Sequence, residues 1–434
     1  MGWREAVAPA RMQRVAVVAP IDCLPAVLAA LGEAGAVQLD GVASDATLQD
    51  ASDASVQRDG VCALVGWAPA ATLAALQDQL GCLGGAVSRL RRRPGAEPPT
   101  LVGAEGATGA FEPLVDTYAT MPYADLNPAV FAGLAYVVMF GMMFGDVAHG
   151  LLLVIGGFLL RAGRPRFLGG LRHLAPFVIG GGLAAMGFGF AYGEAFGPTH
   201  AVPTLWLSPL DHPTTLLAVA VAAGAGLLAV AYGLGTINRW REGGAARALV
   251  ATSGLAGALA YLGLGVAGLG LYEHLTVVDV TGGIMAGCGL VFGFIGCYSE
   301  AGGAVQAGIQ LFDSVIRIGT NTVSFARLAA FGLTHAALGK VVWSATAGLW
   351  NRGAVFAVAA AAVFLVGNAV SFSLEGLVAG VQALRLEYYE LFSRIFVAEG
   401  RPFRPWHGPA VSVQSYCLPN VSLGQPKESR CSPG

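Results

Sequence analysis

Charge is scarce in this 434-residue chain. Only 12% of positions are Asp, Glu, Lys or Arg, about half the usual share of a soluble domain. Charge of one sign is missing too: the formal net charge is −2, so no basic field points to nucleic acid. The seven cysteines form no CxxC and no Cys/His cluster with zinc spacing, which excludes a zinc finger or ribbon and sets no expectation of a metal. Their odd number favours free thiols over a disulfide framework. No GxxxxGK[ST] phosphate loop, HExxH or GxSxG occurs, so no nucleotide-hydrolysis, zinc-protease or serine-hydrolase site is expected in the chain, and no cofactor. No apolar h-region with a small-residue cleavage site follows the charged opening segment, and the N-terminus is expected to stay cytoplasmic. What is abundant is apolar. Hydrophobic residues make up 55% of the chain and the mean hydropathy is +0.62. So little charge cannot cover that much apolar surface in water, and disorder is excluded by the same numbers. The composition is that of a polytopic α-helical membrane protein.

Residues 1–125 differ from the rest and hold just over half of the acidic residues. Arg14-Val-Ala-Val-Val-Ala reads as a strand, and 23–34 as a helix with Asp22 as N-cap and Gly35 as stop. A second strand covers 36–40. After a polar stretch (44–59) the pattern returns: strand at 61–65, helix at 69–80, strand at 86–90. Two βαβ-like units predict a small cytoplasmic α/β domain, with a ferredoxin-like sandwich as one arrangement. The Arg- and Pro-rich 91–99 is a linker.

A bilayer core of about 30 Å needs about 20 apolar helical residues. About eight transmembrane helices are expected within a domain running 126–405: 128–145, 147–161, 174–193, 214–236, 248–270, 281–299, 307–347 and 354–395. The last two are long enough to tilt or project. Residues 406–434 read as a C-terminal tail, cytoplasmic and poorly ordered. Arg161, Arg164, Arg166 and Arg172 follow the second span, Arg239, Arg241 and Arg247 the fourth, and Arg394, Arg401 and Arg404 the eighth. The loops 194–212 and 271–280 hold no Lys or Arg. The positive-inside rule then places both termini in the cytoplasm. A GxGxxG match at Gly263 to Gly268 lies inside an apolar span with no preceding strand, and reads as small residues for helix packing.

Charges inside apolar spans are costly and default to functional hypotheses. Arg327 stands midway along the seventh span. It is a permanent cation, so it needs an anion, a water-filled cavity, or both. His335 lies eight residues on, about 12 Å along a helix axis. The eighth span carries Glu375 and, ten residues later, Arg385. By the expected topology His335 and Glu375 lie external to the arginines, and Asp313 and Arg317 lie on the cytoplasmic side. Polar groups above and below a central cation suit two half-channels with a barrier better than one open cation pore.

Three segments together resemble a known family. They are Asn127-Pro-Ala-Val-Phe with Met139-Phe-Gly-Met-Met-Phe-Gly-Asp-Val-Ala-His-Gly150; Ser324-Phe-Ala-Arg-Leu-Ala-Ala-Phe-Gly-Leu-Thr-His-Ala; and the span from Ser373 through Arg385 to Phe396. In this order and spacing they resemble the membrane stator subunit of V-type ATPases, called subunit a or subunit I. The resemblance covers about 110–405, and more weakly Val65-Gly-Trp-Ala-Pro69. It implies a non-catalytic subunit of a rotary ATPase or synthase that carries protons, or alternatively sodium. Its partners would be a ring of proteolipids, each with one carboxylate, the peripheral and central stalk subunits, and the lipid bilayer. Arg327 matches the stator arginine, which would favour the ionised form of a passing ring carboxylate. Arg385, Glu375 and His335 match polar positions of the same helices, and Asp313 matches an acidic position of the cytoplasmic half-channel. Asp146 and His149 match the first-hairpin motif, where a structural role is expected.

The chain departs from the family in its head. Members usually set two α/β lobes far apart on a long helical hairpin that anchors stalks, whereas here about 20 residues separate the two units. The competing readings are a stand-alone secondary transporter or channel with a buried arginine, against which no inverted repeat is seen, and an assembly scaffold without transport.

Overall fold

The computed structural model describes residues 9–91, 93, 96–101, 115, 121–123, 125–164, 166–199, 201–395 and 400–407. Contacts divide the chain into a small unit, Ala10–Leu101 with Arg401–Gly434, and a large unit built on Val102–Gly400.

In the small unit, β1 (Met12–Pro20) alternates so that Val15, Val17 and Ala19 are buried. Helix α1 (Leu24–Ala34) follows and ends at Gly35, whose φ of 52° is the left-handed cap expected of that glycine. Asp22 is not its N-cap: it lies within a 3-10 turn, Ile21–Cys23, and Cys23 caps the helix with no side-chain bond. Then come β2 (Gln38–Leu39), α2 (Leu48–Asp53), β3 (Val56–Arg58), β4 (Val61–Pro69), α3 (Leu73–Gly81) and β5 (Ala86–Arg89). The sheet order is β2-β4-β1-β5, all neighbours antiparallel. This is the ferredoxin-like split βαβ arrangement. The polar stretch 44–59 holds two elements the sequence reading did not see. Thr47 and Asp50 form a reciprocal capping box on α2. Asp59 and Gly60, both at positive φ, turn β3 onto β4 as a tight hairpin.

The segment from Arg401 completes this unit. Thr100 N donates to Arg401 O (2.7 Å), and Phe403 N donates back to Thr100 O (3.0 Å). Trp406 N donates to Val37 O (2.9 Å), and its indole Nε1 to Ala46 O (3.0 Å). Its ring lies in the core with Val27, Leu31 and Leu64 and is 1% exposed. Trp406 and His407, which the sequence reading assigns to the tail, therefore belong to the small unit; 408–434 lie outside the described residues.

The large unit is a helical membrane protein. Its helices are α4 (Ala129–Met143), α5 (Val147–Arg161), α6 (Ala175–Tyr192), α7 (Pro213–Val250), α8 (Leu255–Tyr272), α9 (Thr276–Ala301), α10 (Ala304–Ser324), α11 (Ala326–Trp350) and α12 (Ala354–Leu386). A π-helical turn, Glu387–Phe392, and α13 (Ser393–Ile395) extend α12.

The expected eight spans are not all found as such. Among the described residues five helical stretches are long and apolar enough to cross a membrane: Gly169–Tyr192, Pro213–Val250, Leu255–Tyr272, Thr276–Ser299 and Val355–Ile395. Helices α4 and α5 have 15 residues each, about 22 Å against a core of about 30 Å. The expected span 307–347 is divided at Phe325 into α10 and α11, and its first part carries an ion-paired Asp313 and Arg317.

Glycine sets the packing of two helical hairpins. A Cβ on Gly263 would overlap the backbone of Ala286, and one on Gly282 the backbone of Ala267, so α8 and α9 touch main chain to main chain. Of the GxGxxG match, Gly263 serves close packing, whereas Gly265 and Gly268 meet nothing within 4 Å. Gly150 of α5 and Gly182 of α6 do the same, each facing the other's carbonyl.

Candidate functional site

The site starts at the tight turn between α4 and α5. Asp146 has extended backbone (φ −138°) and caps α5. Its Oδ1 accepts from Ala148 N (2.8 Å) and His149 N (2.9 Å), and its Oδ2 accepts from Gly197 N (3.0 Å). A fully buried carboxylate is held this way only because three backbone donors meet it. Gly197 can deliver its N–H because it adopts φ 86° and lies flat on Gly339 of α11, where a Cβ would clash. The loop after α6 is thereby held between the first hairpin and α11.

The same turn brings His149 into contact with α11. His149 and His335 are 3% and 4% exposed, with ring centroids 5.6 Å apart. His335 Nε2 lies 4.0 Å from Asp146 Oδ2, and His149 Nδ1 lies 3.8 Å from Asp146 Oδ1. On its other side His335 Nδ1 is hydrogen-bonded to Glu375 Oε2 of α12. Phe144, Phe196 and Phe372 wall the cluster. Glu375 Oε1 and both ring nitrogens of His149 are buried without a hydrogen-bond partner. His335 and Glu375, which the sequence puts on one side of the arginines, are thus directly joined. Asp146 and His149, for which the sequence suggested a structural role at the tight turn, also belong to the same cluster. A cavity of about 160 Å³ opens beside His335 and Glu375, lined also by Phe331, Thr334 and Leu374.

Arg327 stands in the first turn of α11, just past the break at Phe325. Its Nη1 is buried without a hydrogen-bond partner, and among the described residues it forms no ion pair with a carboxylate. Its electrostatic neighbours are Arg385 and Glu390. Arg385 is exposed. It continues a stripe of α12 on which Val370, Leu374, Leu377 and Val381 are each more than half exposed. Asp313 is not gathered into either group: it is exposed and pairs with Arg317 (Oδ2–Nε 2.7 Å).

Three acidic residues escaped the sequence reading. Glu387 and Glu390 lie in the π-helical turn, which rotates successive side chains off the α-helical stripe; such turns recur at functional sites. Glu387 is fully buried with both carboxylate oxygens unpartnered. With the Asn321 amide turned so that its nitrogen faces the acceptors around it, that nitrogen donates to Glu390 Oε2 (3.1 Å) and to Arg317 O (3.0 Å). Glu194, in the loop after α6, is 4% exposed, and burial pushes its carboxyl up to about 7. The one signal in the sequence was the pair of glutamates closing the last span; Glu194 looked like an ordinary loop residue.

The chain is similar to known proteins over much of this region. Residues 52–167 and 304–407 match the model of the V-type ATPase 116kDa subunit family. The chain is 29% identical over 309 residues to the A-type ATP synthase subunit I of Pyrococcus horikoshii, covering 68% of this chain and 45% of that one. It is 26% identical over 398 residues to the subunit of the same name from Archaeoglobus fulgidus, covering 79% and 58%. It is 38% identical over 108 residues to the V-type ATP synthase subunit I 2 of Treponema pallidum, covering 25% and 23%. The chain spans about half the length of the archaeal relatives it matches.

Proposed function

The chain belongs to the V-type ATPase 116kDa subunit family, and from that premise we propose that it is the membrane stator of a rotary ATPase or synthase. In this reading α11 and α12 face a ring of proteolipids, and Arg327 meets each ring carboxylate as it passes. The observation that carries the reading is a permanent cation that forms no ion pair with a carboxylate among the described residues, on the same helix as His335 and about two turns from the buried His335–Glu375 pair. A structural arginine would be ion-paired within the chain; Arg327 senses Glu390 but forms no ion pair with it among the described residues, and is left to interact with a moving carboxylate. Its charge favours the ionised ring carboxylate and bars direct proton leakage between the two sides.

His335 and Glu375 serve the external half-channel, and Arg385 lies with Arg327 at the ring surface. The exposed apolar stripe of α12 that ends in Arg385 supports a proteolipid as the neighbour. Asp313 lines the cytoplasmic entry, and Glu390 with Asn321 extends it inward. Asp146 anchors the hairpin behind His335. Both ends of the membrane domain lie on the cytoplasmic face. This is supported by the packing of 401–407 with 10–101 in one unit, which requires an even number of crossings between them. Stalk subunits then bind through the compact head.

The test is Arg327→Ala in the assembled, reconstituted complex. ATP-driven ion transport should fall to background while membrane insertion and assembly are retained. Unchanged pumping would sink the proposal. Mild-detergent purification of the tagged chain should recover a small proteolipid and nucleotide-binding subunits. A chain that comes out alone yet moves ions in liposomes would favour a stand-alone transporter.

A further inference from the structure

We propose that Asp146, His149 and His335 form a binding site for a divalent transition-metal ion, with Zn²⁺ the best match. One donor atom from each residue lies within 4.8 Å of the others, and all three residues are buried. Donors around a tetrahedral zinc with bonds of about 2.0–2.1 Å sit about 3.3 Å apart. The group therefore needs to contract by no more than about 1.5 Å, which small side-chain rotations supply.

Three further observations point to a ligand. The first is His149: it is 3% exposed, and neither ring nitrogen meets a partner in good hydrogen-bond geometry, the nearest polar groups being Asp146 Oδ1 at 3.8 Å from Nδ1 and the Asn368 side chain, which interacts with the ring but spends its amide N–H on Phe364 O. A buried imidazole so weakly satisfied calls for an explanation, and a metal bond supplies one. The second is Asp146. Its Oδ1 takes two backbone N–H bonds but Oδ2 takes one, which leaves Oδ2, 4.0 Å from His335 Nε2, with spare acceptor capacity. The third is the outer shell. His335 turns Nε2 toward Asp146 and bonds Glu375 through Nδ1, the carboxylate–histidine arrangement that orients metal-bound imidazoles.

Two imidazoles and one carboxylate suit zinc or cobalt rather than magnesium or calcium, which take oxygen donors. Three protein ligands leave a fourth position open. Sequence spacing could not show this site: only Asp146 and His149 are close in the chain, and the third ligand arrives from α11. Bound metal would fasten the first hairpin to α11 and occupy the His335 nitrogen. On the half-channel reading proposed above, that blocks proton passage, so zinc inhibits.

The probe is Co²⁺, titrated into the purified full-length chain in detergent and followed by its visible absorption, with Zn²⁺ as competitor. One Co²⁺ per chain, displaced by Zn²⁺, is expected. Glu375→Gln should weaken binding about 10- to 100-fold, and His149→Ala more than that. Should His149→Ala fail to elute as the native chain, His149→Cys carries the test: it should retain the metal and add a thiolate-to-cobalt band. No stoichiometric Co²⁺, equal affinity in the wild type and His149→Ala, or a thiolate band in the wild type, which would place the ion on a cysteine, overturns the site. Zinc inhibition of transport in the reconstituted complex is read separately. Metal binding without inhibition would leave the site standing and count against the half-channel reading.

Discussion

Trp406→Ala should unfold much of the small unit although residue 406 lies far from every strand in the sequence. The indole is 1% exposed among α1, β4 and α3 side chains, and its N–H donates to Ala46 O. A Trp side chain buries about 150–250 Å², worth roughly 4–6 kcal/mol at about 25 cal/mol per Å², an upper figure. Truncations of buried Phe or Trp to Ala cost about 3–5 kcal/mol, because the surroundings relax only in part. A unit of roughly 100 residues has about 5–15 kcal/mol in all, so a large fraction is lost. The assay is amide hydrogen exchange on the full-length chain in detergent, following peptides from β1 and β4. At about 1.4 kcal/mol per tenfold, their slowest amides should exchange roughly 100- to 3000-fold faster. Trp406→Phe keeps most of the packing but leaves Ala46 O without its donor, and should cost about 1–2 kcal/mol, or roughly tenfold. Exchange in β1 and β4 that is unchanged by Trp406→Ala would show that the 401–407 segment merely rests on the unit and contributes nothing to it.

Neighbouring glycines of α9 should behave oppositely: Gly282→Ala collides with the Ala267 backbone and should cost about 1–3 kcal/mol, whereas Gly283→Ala meets nothing within 4 Å and should be neutral or slightly stabilising by thermal melting. Asp125 is buried beside Glu242, and burial pushes its carboxyl up to about 7. A carboxyl raised on folding contributes most below its unfolded value near 4, and that stability is lost as pH rises toward 7. Asp125→Asn should therefore raise the melting temperature at pH 8, by an amount worth about 1–3 kcal/mol, and change it little at pH 4; an equal effect at both would contradict the assignment. Asp146→Ala removes the acceptor of three backbone donors and should release the 194–199 loop, seen as faster exchange at Gly197, while Asp146→Asn should retain part of the protection.

The membrane character and the strand–helix order of the head were legible because apolar period and turn residues are local signals. Gly35 stops α1 as expected, but Asp22 does not start it, since the chain enters through a 3-10 turn instead. The count of spans was less legible. Apolar length alone does not reveal that 307–347 is divided at Phe325, two residues before Arg327. His335 and Glu375 could be placed on one side of Arg327 by counting residues, but that they bond each other depends on the packing of α11 against α12. The inclusion of Asp146 and His149 is a tertiary fact of the same kind: the turn that presents them is local, and what it is presented to is not. Trp406 was hidden for the opposite reason, because a short Pro-rich segment with one aromatic carries no periodic pattern.

That Trp406 bonds Ala46 across a separation of 360 residues imposes a timetable on synthesis. At about 5–20 residues per second, β1, α1 and β2 wait roughly 20–70 s after leaving the ribosome before their last core residue is made. The strands that pack around Trp406 are thus made long before the residue that completes their core. Every intervening helix must be threaded before that can happen, so a copy whose membrane helices are inserted with the wrong parity delivers Trp406 to the opposite side and leaves the head open. Closure of the head thus reports on the parity of the whole insertion, and slow amide exchange in β1 and β4 becomes a readout of it.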